Sequence, residues 1–279
     1  MTKCVACGGD LDPVLAPAVV HPACLMLNDL GEEDPFSSML KVKLTEIITW
    51  YDTENPRSKQ QEIGPSEIGD PCDRRIGYRL AAIPAVNTTF DPWAGIVGTA
   101  LHSWLDKAVQ AWCAATGTDV WSTESTLYLN EFIQGHSDLY NSEYEAVIDW
   151  KSASKYVIAH CRNHGPSPGY MIQTQLYGYM FEKAGRPVSR VALVFLPRAG
   201  WLREMYVWSA PYERSVAENA LSRLYGIARQ LIELDILTQS HRWEQVDHTP
   251  GKGCGYCPWF DPHRDPERGA DTTGCGGKA

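Results

Sequence analysis

The order of its periodicities constrains this chain most. From 95 to 116 the apolar residues Ile96, Val97, Leu101, Leu105, Val109 and Trp112 recur at helical steps, the pattern of one buried helix face. Three strand-like runs follow directly, at 119–129, 132–140 and 144–150. A helix over 170–184 comes next, then strands at 188–197 and 201–209 joined by a Pro-Arg-Ala-Gly turn, then a long helix from 211 to 238. Helix, three strands, helix, two strands, helix predicts an α/β fold, a sheet flanked by helices. Upstream, 41–52 has helical spacing, and Pro56, Gly64, Pro65, Gly69 and Pro71 break the stretch 53–71. Residues 72–82 read as a short helix with Ile76, Leu80 and Ala81 on one side. There is no internal repeat.

Composition bounds the function. With 279 residues, 44% hydrophobic and 21% charged, the chain excludes wholesale disorder and supports one substantial core. A net charge of −9 is not the footprint of a protein that coats nucleic acid. It leaves room for an enzyme whose acidic residues hold divalent cations, because a bound cation inverts the local field. No apolar run of transmembrane length and no N-terminal apolar region occur, so the expectation is a cytoplasmic protein without a membrane partner. The expected division is a small module at 1–28, an acidic linker at 29–40 and a main domain at 41–279.

The central signal is Gly135 and Asp138, followed by Val147, Ile148, Asp149, Trp150 and Lys151. Residues two apart on a strand face the same side, so Asp149 and Lys151 project together. Two carboxylates beside a lysine suit divalent-metal hydrolysis of a phosphodiester: carboxylates hold the metal, which acidifies a water and offsets transition-state charge. A surface ion pair is the bland alternative. A naive hairpin turning at 141–142 sets Asp149 opposite Gln134 rather than Asp138, so either the strands bend or bulge or Asp138 lies past regular pairing; the motifs taken together override that register.

Around this pair lie a helical G-x-x-x-H at Gly98 and His102, and a Q-x-x-x-Y at Gln175 and Tyr179. With Gly135 and Asp138, and Asp149 and Lys151, the set resembles the RecB-like branch of the PD-(D/E)xK nuclease superfamily. The resemblance implies a restriction-endonuclease-like core, a mixed sheet flanked by helices. It implies that His102, Asp138 and Asp149 hold Mg²⁺ or Mn²⁺, joined by the backbone carbonyl of Trp150, and that Lys151 serves the attacking water. Gln175 and Tyr179 would support the site or contact phosphate, and Glu124 is a weaker supporting candidate.

Nine cysteines without a secretory leader point to metal ligands or buried thiols rather than disulfides. Cys4, Cys7, His21 and Cys24 have the paired spacing of a structural zinc site, and a module this poor in apolar residues needs metal to fold. Cys72 before the nuclease motifs, and Cys254, Cys257 and Cys275 after them, resemble the iron–sulfur subset of RecB-like nucleases, which includes AddB and CRISPR-associated exonucleases. That likeness implies a 4Fe–4S cluster on four thiolates. The long interval before Cys275 departs from the family pattern, and zinc is the rival occupant. Arg74 and Arg75, in a C-x-R-R-x-x-Y pattern also found in those nucleases, have guanidinium forks suited to phosphate and are candidate DNA contacts, with local ion pairing the alternative. Cys113 and Cys161 read as inert thiols. His160 and His164 read as part of a loop.

The leading expectation is a metal-dependent DNA exonuclease. It would serve recombination, replication or end processing, in a phage or bacterial setting, with a recombination or replication protein as a partner. A structure-specific endonuclease shares the chemistry. A non-catalytic zinc-ribbon binding module is the third class, opposed by the complete set of His102, Asp138, Asp149 and Lys151.

Overall fold

The computed structural model describes residues 34–54, 62–87, 91–250, 252–261 and 274–276. The expected zinc module, with Cys4, Cys7, His21 and Cys24, lies outside the described residues. Contact density divides the chain into two units, 1–60 with 87–92 and 61–86 with 93–279. In the first, helix α1 (Pro35–Glu54) starts inside the stretch expected to be a linker. The reason is local: Asp34 Oδ1 accepts from the amides of Phe36 and Ser37 at 3.0 and 3.2 Å, and Pro35 occupies the first helical position.

The second unit holds the sheet. Its elements run α2 (Pro65–Ile68), α3 (Asp73–Leu80), α4 (Trp93–Thr116), β1 (Trp121–Tyr128), β2 (Gln134–Asn141), β3 (Ala146–Ala153), α5 (Lys155–His164), α6 (Pro168–Lys183), β4 (Arg190–Pro197), β5 (Tyr206–Pro211) and α7 (Arg214–Glu233). The strands lie side by side in sequence order. The pair β3–β4 is parallel and the other pairs are antiparallel, so the sheet is mixed, as expected. A parallel pair needs a crossover, and α5 and α6 supply it. Strand β4 is buried almost throughout its Val-Ala-Leu-Val-Phe-Leu run, as an inner parallel strand is, whereas β5 alternates in exposure like an edge strand.

Three apolar clusters pin the helices. Tyr140, Val147, Val191, Met180 and Phe181 join the sheet to α6. Ile158 and Cys161 of α5 meet Leu193 and Phe195. The largest cluster joins α3, α6 and α7 through Ile76, Tyr78, Leu176, Leu224 and Ile227, with Trp243 and Trp259 from the tail. Helices α2 and α6 approach closely where Gly69 and Gly169 meet. A Cβ on Gly69 would lie 2.6 Å from the Gly169 carbonyl oxygen.

Two sequence expectations change. Residues 155–164 form a helix, not a loop, started by Ser154, whose hydroxyl accepts from the Val157 amide. The β2–β3 register also differs from that of the naive hairpin, which the motifs override. The ladder pairs Leu139 with Ile148, Tyr140 with Val147 and Asn141 with Ala146. The turn is wider than expected because Asn141 Oδ1 accepts from the Tyr144 amide at 2.7 Å and Glu145 adopts φ 46°. Carried one step further, the register sets Asp149 opposite Asp138, not Gln134.

Candidate active site

That register is what assembles the site. Asp138 on β2 and Asp149 on β3 are both buried, and Lys151 follows on the same face as Asp149. Beyond Ile148 the β2–β3 ladder ends, and the Trp150 amide donates instead to Asp138 Oδ2 at 2.8 Å. The Trp150 carbonyl points toward the same edge, since a strand residue exchanges both its groups with one neighbour. From α4, His102 Nδ1 lies 3.0 Å from Asp138 Oδ1. Lys151 Nζ lies 2.7 Å from Asp149 Oδ2, accepted by Gln173 Oε1 at 2.9 Å and 4.5 Å from the centre of the Tyr170 ring. Gln173 Nε2 closes the ring of contacts by donating to Asp149 Oδ1 at 3.0 Å.

The electrostatics follow from this crowding. Burial pushes the Asp149 carboxyl up to about 6; Lys151 and His102 oppose the rise, and Asp138 adds to it. Burial acts on His102 in the opposite sense, but the hydrogen bond and charge of Asp138, with Asp149 beyond, outweigh it and raise the imidazole. Among the described residues, His102, Glu124 and Asp138 offer ligand atoms that all lie within 4.8 Å of one another. Asp149 Oδ2 is paired with the Lys151 ammonium at 2.7 Å. The oxygen- and nitrogen-bearing set of His102, Glu124 and Asp138 fits a hard divalent cation.

Gln175 and Tyr179 do not join this cluster. Gln175 Nε2 donates to the Pro211 carbonyl at 3.0 Å, and its Oε1 accepts from the Glu213 amide at 2.8 Å, so it clasps α6 to the end of β5. Tyr179 lines a pocket of about 760 Å³ with Tyr128, Lys183 and Tyr225. The glutamine beside the carboxylates is Gln173, which begins a second Q-x-x-x-Y, with Tyr177, two residues earlier. The two glutamines separate by experiment. Gln173→Ala should lower any activity carried by Lys151 about tenfold or more, by unmooring the ammonium. Gln175→Ala should leave activity nearly intact and cost about 1–3 kcal/mol of stability, since it strands a carbonyl and an amide. Paired melting curves and rate measurements distinguish them. The reverse outcome would return the role to Gln175.

The tail cysteines converge elsewhere. Cys72, Cys254, Cys257 and Cys275 line one pocket of about 250 Å³, with Arg74, Arg75, Tyr78 and His248. All four are free thiols. Burial pushes the Cys257 thiol up, and Cys72 and Cys275 add to that while Arg75 and the Trp259 amide oppose it. A parallel bridge between Phe260 and Cys275 returns the last cysteine to the pocket despite the long interval.

Arg74 corrects an expectation. It is only 3% exposed, so its guanidinium cannot lie against DNA. It donates to the Val246 carbonyl at 2.8 and 3.0 Å, and its Nη1 lies 3.8 Å from Cys275 Sγ. Arg75 is more open and paired with Asp70 at 3.0 Å.

No family model matches the chain, and no curated protein matches it significantly. Solved structures similar to it include an alkaline exonuclease from Laribacter hongkongensis, at 14% identity and TM-score 0.45, covering 66% of this chain and 95% of that one. A phage-related exonuclease from Haemophilus somnus 129PT matches at 15% identity and TM-score 0.41, covering 58% of this chain and 81% of that one. The protein SSO0001 matches at 17% identity and TM-score 0.43, covering 72% of this chain and 84% of that one. Likeness this remote leaves the functional reading to the geometry of the site. Among the described residues no helix is long and apolar enough to cross a membrane.

Proposed function

We propose that the chain is a divalent-metal-dependent nuclease that hydrolyses DNA phosphodiester bonds from chain ends. The carrying observation is the grouping of half-buried His102 and Lys151 around the buried carboxylates of Asp138 and Asp149, closed by Gln173. His102, Asp138, Asp149 and the Trp150 carbonyl would hold Mg²⁺ or Mn²⁺. Bound there, such an ion acidifies a water and offsets charge on the phosphoryl oxygens. Asp149 and Gln173 hold the Lys151 ammonium at a fixed point, where it can orient a water and donate to a phosphate oxygen as negative charge grows. Asp138 accepts from the Trp150 amide and fixes the His102 ring, so the ligand atoms are placed before substrate arrives. DNA as the substrate class, and recombination, replication or end processing as the setting, rest on the RecB-like motif set.

The four tail cysteines would hold a 4Fe–4S cluster that joins α3 to the C-terminal segment. Four thiols round a pocket of about 250 Å³ leave room for a polynuclear cluster. One zinc would draw all four sulfurs to about 2.3 Å from a single centre. Cys4, Cys7, His21 and Cys24 would hold a separate structural zinc.

The deciding assay is purified protein with Mn²⁺ on end-labelled linear and circular DNA, single- and double-stranded. Mononucleotides released from linear DNA alone support the exonuclease. Cutting of circles would make it an endonuclease, and no cleavage of any form would overturn the reading. The cluster is tested separately. Protein purified without oxygen should be brown and carry about four irons per chain. A colourless, iron-free protein that is fully folded would exclude it.

A further inference from the structure

Glu124, only a supporting candidate from the sequence, lies among the candidate ligands in the fold. The β1–β2 ladder pairs Thr123 with Leu139 and Ser125 with Ser137, but omits the pair between them, Glu124 with Asp138. At this gap Glu124 has φ 44°, in the left-handed region that residues with a side chain mostly avoid. Its carboxylate falls within the 4.8 Å group that also contains His102 and Asp138. A second observation is independent of that group. The Asp149 side chain is buried on β3, opposite Asp138 when the ladder is carried one step on, and its Oδ2 is held 2.7 Å from the Lys151 ammonium. Two carboxylates and one imidazole therefore converge, with the Asp149–Lys151 ion pair on the neighbouring strand adding a third carboxylate and one cation. So anionic a set is balanced by a multiply charged cation.

We propose that Glu124 is a further protein ligand of the cation and that the resulting mixed set selects Mn²⁺ over Mg²⁺; the inference rests on the metal-dependent reading above. Mg²⁺ keeps most of its waters and takes one or two carboxylates in near-ideal octahedral geometry. A site offering an imidazole and several carboxylates strips more of that water. Mn²⁺ accepts both ligand types and binds nitrogen more readily. The flanking pairs set Glu124 opposite Asp138, so the two carboxylates share one face of the sheet although the ladder is interrupted between them.

The left-handed backbone makes the test clean. Glycine and asparagine adopt that conformation more readily than glutamate, so Glu124→Gly and Glu124→Asn remove the carboxylate without straining the strand. The measurement is calorimetric titration of the full chain with Mn²⁺ alone, then with Mg²⁺ alone, beside thermal melting. Both variants should melt at or above the wild-type temperature, bind Mn²⁺ at least tenfold more weakly, and lose most of the preference for Mn²⁺ over Mg²⁺. Unchanged Mn²⁺ affinity in both variants would overturn the assignment of Glu124. Lower melting temperatures with Mn²⁺ affinity kept would also overturn it, by making Glu124 structural. If the wild-type chain binds neither ion, the metal-dependent reading itself fails, and that outcome is distinct from the other two.

Discussion

Lys151→Ala should lower DNA cleavage about 10²–10³-fold while leaving Mn²⁺ binding intact, because removing a fixed donor at a site of growing charge has an effect of that size. The ammonium cannot be replaced by a neighbour. It sits between Asp149 Oδ2 and Gln173 Oε1, with the Tyr170 ring against it. Asp149→Asn should fail differently. It keeps the shape and the contact with Gln173 but removes a buried charge that would hold the metal, so Mn²⁺ affinity should fall together with turnover. Binding to DNA should survive both changes, since phosphate contacts outside the cluster carry most of the affinity. Cleavage of labelled DNA beside calorimetric titration of each variant separates the two routes. Near-normal cleavage by Lys151→Ala would sink the assignment of the site. Loss of metal binding in both variants would make Lys151 a structural partner of Asp149 instead.

Much of this site was legible because its strands are. The alternation that sets Asp149 and Lys151 on one face survives in the fold, and so does the helix that carries His102. What failed to read were features set by one side chain or by tertiary choice. The β2–β3 register turns on Asn141, whose side chain accepts the Tyr144 amide and widens the turn. A shorter turn would have been equally good local chemistry. The choice between Gln173 and Gln175 had no local signal. Residues two apart on a helix point to nearly opposite sides, and periodicity should have told them apart, but α6 is buried without a break from Gln173 to Gly178. Both glutamines are wrapped, one by the carboxylate cluster and the other by the end of β5. Helix α5 was hidden because its cap, Ser154, stands right after β3 in a polar segment. Arg74 shows the converse: a residue type suited to phosphate was taken into the interior because carbonyls from the tail were there to satisfy it.

Trp243→Ala should produce the largest loss of stability of any single change considered for this chain, about 3–5 kcal/mol. Trp243 is 1% exposed and lies in the cluster that α3, α6 and α7 share. Its ring centroid is 4.2 Å from that of Tyr78, which in turn stacks on Trp259 at 5.6 Å. A Cβ on Gly77 would already touch it at 3.0 Å, so the indole fills its space and alanine would leave a void. At about 2–4 °C per kcal/mol for a unit of this size, the melting temperature should drop by roughly 6–20 °C. Trp104→Ala is the control: that side chain is 66% exposed, and its loss should stay within about 0.5 kcal/mol. The effect should also reach the cysteine pocket. Trp243 immediately precedes the segment whose Glu244 and Val246 carbonyls hold the Arg74 guanidinium, and Arg74 faces Cys275. If the pocket holds the proposed cluster, the Trp243→Ala variant should lose visible absorbance and iron at temperatures where its sheet is still folded, as followed by circular dichroism on the same sample. Iron loss coincident with global unfolding would uncouple the aromatic stack from the pocket. A melting temperature equal to that of the Trp104→Ala control would show that the stack does not carry the junction between α3 and the tail.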